Sequence, residues 1–464
     1  MTIATAENLH RGAKYFMDTG RAHSATQALE MLGGFGLTIE VGPEIITSRD
    51  HQIALLTLVN CARRMFLGGV YVVALPSAQL LADLVAAKSL NDAVEALGGM
   101  LIDAAAAKWP SALIGSVAAR ERDRPAWQLT WSGWRGGVIA QPQHRLSEGN
   151  SCGLGPTVAA AACAAEAFLF HAGDHPMAGR RSAGVSLWRP GADWLASDDT
   201  EPPITYLPSR LWLVGLGNLG QAYLWMLGAL DYANRAEAEL VLQDFDRIAE
   251  SNDSTSLLSH LSLVGKMKTR ATSAWLDRLG FQSMLEERRF GPYSKRASDE
   301  PAVALCGVDN KLTRAYLENA GFDWVVEAGL GAGPSAFKNF SLHTFPSSFR
   351  AADLWADAGP AAGEKGREIE SQPAYSGDKH PSLDHCGLAQ LASRTIGVPF
   401  VGLMAATFAI AEILRRLHGG AAFEVISACT AALEDIETSS IPSSVYAYGH
   451  TGARVHEPSP SCPK

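Results

Sequence analysis

The stretch that most constrains this chain runs from Leu211 to Lys268. It opens as LWLVGLGNLG, a short apolar strand running into Gly215, Gly217 and Gly220 at GxGxxG spacing. AELVLQDFDRIAESN then supplies a second apolar strand that ends in Asp244 and Asp246 and leads to Asn252. VGKMKTRATSAWLDRLG closes the stretch as an amphipathic helix with Lys266 and Lys268 at its entrance. A strand, a glycine turn and a helix, followed by a strand ending in acids, is what a chain needs to grip a nucleotide. Glycines let the backbone turn tightly and approach phosphate or sugar oxygens, and the helix start offers unpaired N–H donors. GxGxxG alone is weak; the acids and lysines behind it make it strong.

Composition narrows the function classes. A net charge of -9 argues against broad electrostatic binding to nucleic acid or to an anionic membrane. The seven cysteines stand singly, with no CxxC pair, so neither a zinc knuckle nor a disulfide framework is indicated. Isolated thiols fit a reducing compartment, and MTIATAENLHRGAKYF carries charges where a signal peptide needs an apolar run, so a cytoplasmic location is expected. Leu211 to Leu230 has no charge and is long enough to span a membrane. Its glycines, Asn218 and Gln221, and the strand and acids that follow, favour a buried strand-turn-helix instead.

The order of elements divides the chain. Residues 1–205 hold a strand around LTIEV, a helix from Arg49 to Phe66, a strand GGVYVVAL and a mainly helical stretch over 77–103. A polar glycine turn and an alanine-rich helix containing Glu166 follow. The Gly/Pro-containing run ending SDDTEPPITYLPS is the best boundary in the chain. Residues 206–450 repeat the strand-helix rhythm with the glycine loop present, and a second alanine-rich helix contains Glu412. The two helices echo one another, which fits either a duplicated fold or the general likeness of alanine-rich buried helices. A long polar segment spans about 345–395, and the proline-containing tail, 451–464, is expected to be loose.

Three strands end at candidate site residues: LWLV at Gly215, LVLQ at Asp244 and AVALCGV at Asp309. In an open parallel sheet they converge on one crevice. Asp244 is placed for ribose hydroxyls, Lys266 and Lys268 for phosphates, and Asp309 as a hard oxygen ligand suited to Mg²⁺. Lysine with magnesium points to a triphosphate undergoing nucleotidyl or phosphoryl transfer. Taken singly, the lysines also fit a solvated helix face and Asp309 a helix N-cap.

GxGxxG, DFDRIAESN, GKMK and VDNKLTR, in that order over about residues 205–420, resemble the adenylation domain of the ubiquitin-activating superfamily. That superfamily includes the bacterial sulfur-carrier adenylating enzymes. A long first half without a glycine loop, joined to one that has it, is most similar to the activating component of Bil-type bacterial antiphage operons. The resemblance implies an α/β chain of two tandem Rossmann-like adenylation folds, the first inactive. It implies that ATP is held by Gly215, Gly217, Gly220, Asp244, Asp246, Asn252 and Lys268, and Mg²⁺ by Asp309. A ubiquitin-like protein would be adenylated at its C-terminal carboxylate and passed on to a conjugating enzyme; a homodimer is left open.

The chain departs from the family pattern at SNDSTSLL, where Thr255 stands in place of a phosphate-binding arginine; Arg63 or Arg64 is a candidate substitute. Cys386, in SGDKHPSLDHCGLAQLASRT, falls where the family carries its thioester-forming nucleophile. His385 and a helix start would lower its pKa. Cys306, inside an apolar strand, reads as core, and His171 and His175 as structural. Three rivals remain: a sulfur-carrier adenylyltransferase that forms no thioester, an NAD-dependent oxidoreductase needing neither Lys268 nor Asp309, and a non-catalytic scaffold.

Overall fold

The computed structural model describes residues 5, 7–105, 108–140, 145–356, 369, 371–376, 385–441 and 453–454. Two mixed sheets carry an α/β fold. The first is built from β1 (Leu37–Val41), β2 (Val70–Val73), β3 (Met100–Ile102), β4 (Ser111–Ile114), β5 (Ala126–Ser132), β6 (Arg135–Ala140) and β7 (Ala183–Ser186), in the order β3-β2-β1-β4-β5-β6-β7. After β8 (Tyr206–Leu207) come β9 (Arg210–Val214), β10 (Glu239–Gln243), β11 (Gln282–Glu286), β12 (Val303–Cys306), β13 (Trp324–Leu330), β14 (Asn339–Phe345), β15 (Phe423–Cys429) and β16 (Ala432–Ser440). The second sheet runs β11-β10-β9-β12-β13-β14-β15-β16. Counted from its own first strand, each sheet has the same order. Both begin with parallel pairings and finish antiparallel beyond their fifth strand.

The echo of alanine-rich helices is therefore topological. Helices Leu154–Ala172 and Pro399–Leu417, each of 19 residues, sit at the same place, between the sixth and seventh strands of their sheets. They pack on one another; the first also packs on helix Arg49–Ala62 and the second on helix Asn218–Ala229. Alanine makes this close approach possible, because Ala159–Ala162, Ala405 and Ala406 are all buried and carry no side chain beyond Cβ. Each helix also buries its glutamate against arginine: Arg181 donates to Glu166 at 2.6 Å, and Arg416 donates to Glu412 at 3.0 Å. Leu154–Ala172 is long and apolar enough to cross a membrane, yet 89% of its apolar window is buried within the protein.

Three expectations change. The stretch 77–103 is helical only over Leu90–Ala96 and ends in β3. Its earlier part is held by the buried Gln52 side chain, which accepts the Leu81 N–H at 2.7 Å and donates to the Gln79 carbonyl at 2.9 Å, so the backbone is satisfied without a helix. Helix Arg49–Ala62 stops four residues short of Phe66, at a turn. Within the tail, Ala453 and Arg454 form β17 and pair with Leu207 and Tyr206. Within the polar segment, residues 357–368, 370 and 377–384 lie outside the described residues.

The two halves are also joined by Arg64. Its buried guanidinium donates to the carbonyls of Leu257 (3.0 Å), Ser259 (3.1 Å) and Asp253, and to Asn60. Burial pulls its pKa down to about 9, which leaves it protonated at neutral pH. Arg64→Met keeps the apolar stem but strands these buried acceptors. It should destabilise the chain by about 3 kcal/mol in denaturant unfolding; a loss below about 0.5 kcal/mol, typical of a surface change, contradicts this role.

Candidate active site

The crevice lies at the carboxyl ends of β9, β10 and β12. Gly215 has φ +87°, a left-handed turn that a side chain resists, and a Cβ there would lie 2.8 Å from Val308 Cγ1. Gly220, on the first helical turn, is tighter: a Cβ would sit 1.9 Å from the Gly215 carbonyl oxygen. Gly217 differs, because a Cβ there meets nothing within 4 Å. Two glycines thus fold the turn, and the third leaves open space.

Asp244 ties this turn to β10. Its buried carboxylate accepts the Leu216 N–H at 2.6 Å and the Asp246 N–H at 2.8 Å. Lys268, the first residue of helix Lys268–Leu279, places Nζ 2.9 Å from Asp246 and 3.9 Å from Asp244. Lys266 is exposed. Asn252 accepts the Ala249 N–H at 2.9 Å through Oδ1, which leaves the Nδ2 end of its amide for another acceptor. Gln221 anchors the floor, donating to the Leu216 carbonyl and accepting the Leu258 N–H. Asp309 is exposed beyond β12; the following helical turn is capped by Asn310, not by Asp309.

The structure brings the glycines, Asp244, Asp246 and Lys268 together, with Asp309 at the end of the adjacent strand. It redirects the arginines. Arg63 pairs bidentately with Asp253, at 2.9 and 3.2 Å, and Arg64 is spent on carbonyls, so neither serves the crevice. Arg11, which carries no sequence motif, lies next to this segment: its backbone N–H donates to the Ser254 hydroxyl at 3.1 Å. A Cβ on Gly397 would meet Thr255 Cγ2 at 2.8 Å and Arg11 Cβ at 3.4 Å, so Arg11 packs beside the residue that replaces the expected arginine. Burial, then the nearby Arg394 charge, pulls Arg11 down to about 10, while Asp309 acts to raise it. An arginine more than 240 positions from Thr255 carries no local sequence signal.

The cysteines sort by depth. Cys306 is fully buried and burial pushes its thiol up to about 12; Cys152 is raised to about 12 in the same way. Cys386 is the second residue of helix His385–Ser393, and its side chain lies outside the described residues. His171 Nε2 donates to the Gly36 carbonyl at 2.8 Å and the ring stacks on Phe35, a structural role. Among the described residues, no group of three His, Cys, Asp or Glu is arranged to hold a metal ion.

The matching place in the first sheet is filled differently. β1 ends at Val41, and the chain passes through Gly42 into the turn Pro43–Ile46, with no GxGxxG loop. The Glu44 carboxylate accepts the Ser116 N–H at 2.9 Å, and the Ser116 hydroxyl donates to it as well. Burial opposes its ionisation, but these Ser116 hydrogen bonds prevail and hold its pKa at about 2. β2 ends without an acid at the place of Asp244.

The site is thus a glycine turn locked by a buried strand-end carboxylate, facing a lysine and an exposed aspartate, in an α/β fold. Comparison with known proteins gives the family. Residues 36–187 match the model of the BilD N-terminal domain and residues 207–420 that of the BilD C-terminal domain. A Bacterial E1-like protein BilD from Collimonas sp. (strain OK412) is 55% identical over 446 residues, covering 96% of each chain. The chain belongs to this family of bacterial E1-like proteins. Among solved structures, E. coli MccB with succinimide shares 12% identity at a TM-score of 0.34, over 50% of this chain and 64% of that one. E. coli MccB with ATP shares 14% at 0.32, over 51% and 65%.

The glycines separate two kinds of damage. Gly220→Ala forces Cβ into a backbone oxygen and should cost about 1–3 kcal/mol of stability. Gly217→Ala should leave the unfolding midpoint unchanged yet weaken ATP binding, measured by titration calorimetry, because its methyl enters the crevice. Unaltered ATP affinity in Gly217→Ala would contradict the location of the site.

Proposed function

We propose that the chain activates a ubiquitin-like protein by adenylating its C-terminal carboxylate. The single observation that carries this is the convergence of the glycine turn, Asp244, Lys268 and Asp309 on one crevice, in a chain of an E1-like family. Asp244 and Asp246 take the ribose side, Lys268, Asn252 and Arg11 the phosphates. Asp309 is the carboxylate that would hold Mg²⁺: one exposed carboxylate suffices, because Mg²⁺ takes its other ligands from phosphate and water. When bound, the ion neutralises phosphate charge. Lys268 is held beside Asp244 and Asp246, so its cation is already at the crevice when a triphosphate arrives. The partner's carboxylate attacks the α-phosphorus and pyrophosphate leaves.

The first half, residues 1–205, is an inactive copy of the fold in the second, residues 206–450. Its glycine turn is missing, and the ionised Glu44 occupies the switch point where phosphate would need N–H donors. After adenylation, Cys386 accepts the acyl group. A position in the first turn of a helix favours thiolate, whereas the buried Cys306 thiol is inert. The thioester then passes to a conjugating enzyme, in the cytoplasm, as a step of antiphage defence. The oxidoreductase alternative needs neither Lys268 nor Asp309 and leaves their presence at the crevice without a role.

ATP–pyrophosphate exchange with candidate ubiquitin-like proteins of the same genome tests the first step. Lys268→Ala should slow it by about 10²–10³, the usual effect of removing one electrostatic donor. Full activity in that variant excludes its assigned role. Cys386→Ala should retain exchange and abolish the thiol-sensitive adduct on a non-reducing gel, whereas Cys306→Ala should keep both. An adduct surviving in Cys386→Ala places the nucleophile elsewhere, and exchange without any adduct in the native chain identifies the sulfur-carrier type of reaction.

A further inference from the structure

A buried cation outside the crevice has no place in this chemistry. Lys14, in the N-terminal helix Ala13–Asp18, is fully buried. Its ammonium sits 2.6 Å from Asp18 Oδ1 and 2.6 Å from Tyr375 Oη, and it donates at 3.0 Å to the Ala392 carbonyl. These three contacts use all three ammonium protons. The Tyr375 hydroxyl in turn donates to Asp18, closing the cluster. A lone ammonium costs several kcal/mol to bury, so such a cluster persists only where its geometry is complete.

The partners of Lys14 are informative by position. Ala392 lies in the last turn of helix His385–Ser393, where carbonyls lack intrahelical donors and the dipole is negative. Lys14 supplies both the missing donor and the positive charge to that end. Cys386 stands at the opposite end of the same helix. The neighbouring Arg11 holds the chain just beyond it, donating to the Thr395 carbonyl at 2.9 Å and accepting the Gly397 N–H at 3.3 Å. Arg11 also accompanies Thr255 at the crevice and feels Asp309. One short N-terminal segment thus touches both the nucleotide site and the cysteine helix.

We infer that Lys14 is a positioning residue for the thiol step: by holding the carboxyl end of the helix that carries Cys386, it fixes where that helix stands relative to the nucleotide crevice. This rests on the assignment of Cys386 as the acyl acceptor. The positioning itself is independent of that assignment and can be read without catalysis.

The test compares wild type, Lys14→Met and Tyr375→Phe as full-length chains, the last removing one hydroxyl from the cluster in case the first fails to fold. Hydrogen exchange of the amides in 385–393 should quicken by about tenfold or more, reflecting local opening, while those of β9 and β10 stay unchanged. With the ubiquitin-like protein that supports exchange in wild type, pyrophosphate exchange should stay within about threefold. Adduct formation should fall by about 10²-fold, as expected when reacting groups are misplaced by about 1 Å. Lys14→Arg, which keeps the charge, should recover part of it. Unchanged amide exchange in 385–393, or equal losses of pyrophosphate exchange and adduct, overturns the inference. Quickened amide exchange in a chain whose wild type forms no Cys386 adduct upholds Lys14 as the anchor of the helix and overturns the assignment of Cys386 instead.

Discussion

The interaction on which the site depends is the buried Asp244 carboxylate accepting the Leu216 N–H. It joins the end of the second strand to the glycine turn after the first, so the two cannot drift apart. Its other oxygen accepts the Asp246 N–H, which turns the backbone back toward Lys268. Two backbone N–H groups and the ammonium of Lys268 fix this carboxylate in place. That fixed charge orders both the loop and the lysine, and the crevice is organised before any ligand arrives. Preorganised donors and charges are the most effective electrostatic contributors to catalysis.

The same topology, used twice, shows what this interaction adds. Both sheets share one strand order, and both place an alanine-rich helix before their seventh strand. Those helices meet face to face, so the chain brings its two halves together as a pair within one polypeptide. Among the described residues, only the second half has a strand-end acid holding a glycine turn. In the first, a glutamate from the turn itself fills the corresponding place, held by Ser116. The first half instead contributes groups in trans: Arg11 beside Thr255, Arg64 beneath the segment after Asn252, and Lys14 at the end of the cysteine helix.

Most of the second half was legible in the sequence because its determinants are local. GxGxxG, the acids after LVLQ and the lysine at a helix start are each fixed by spacing of a few residues, and the fold sets them side by side. The duplicated architecture was visible only as an echo between Glu166 and Glu412, since buried alanine helices resemble one another for general reasons. What stayed hidden is long-range. Arg11 reaches a site whose other members lie beyond residue 215, and Lys14 finds Tyr375 and Ala392 across most of the chain. Residues 77–89 read as helix because their composition favours one; the single side chain of Gln52 supplies the alternative hydrogen bonds. Arg63 and Arg64 were candidate substitutes for the arginine missing at Thr255, yet Asp253 and buried carbonyls use them.

On the proposed function, one chain holds one nucleotide, in its second half. Photoaffinity labelling with an azido-ATP analogue in the presence of Mg²⁺, followed by peptide mapping, tests it most directly. Labelling should approach one per chain, competed by ATP, on peptides from the β9–β10 and β12 region. Labelling on peptides within 36–187, or equal labelling of both halves, would contradict it.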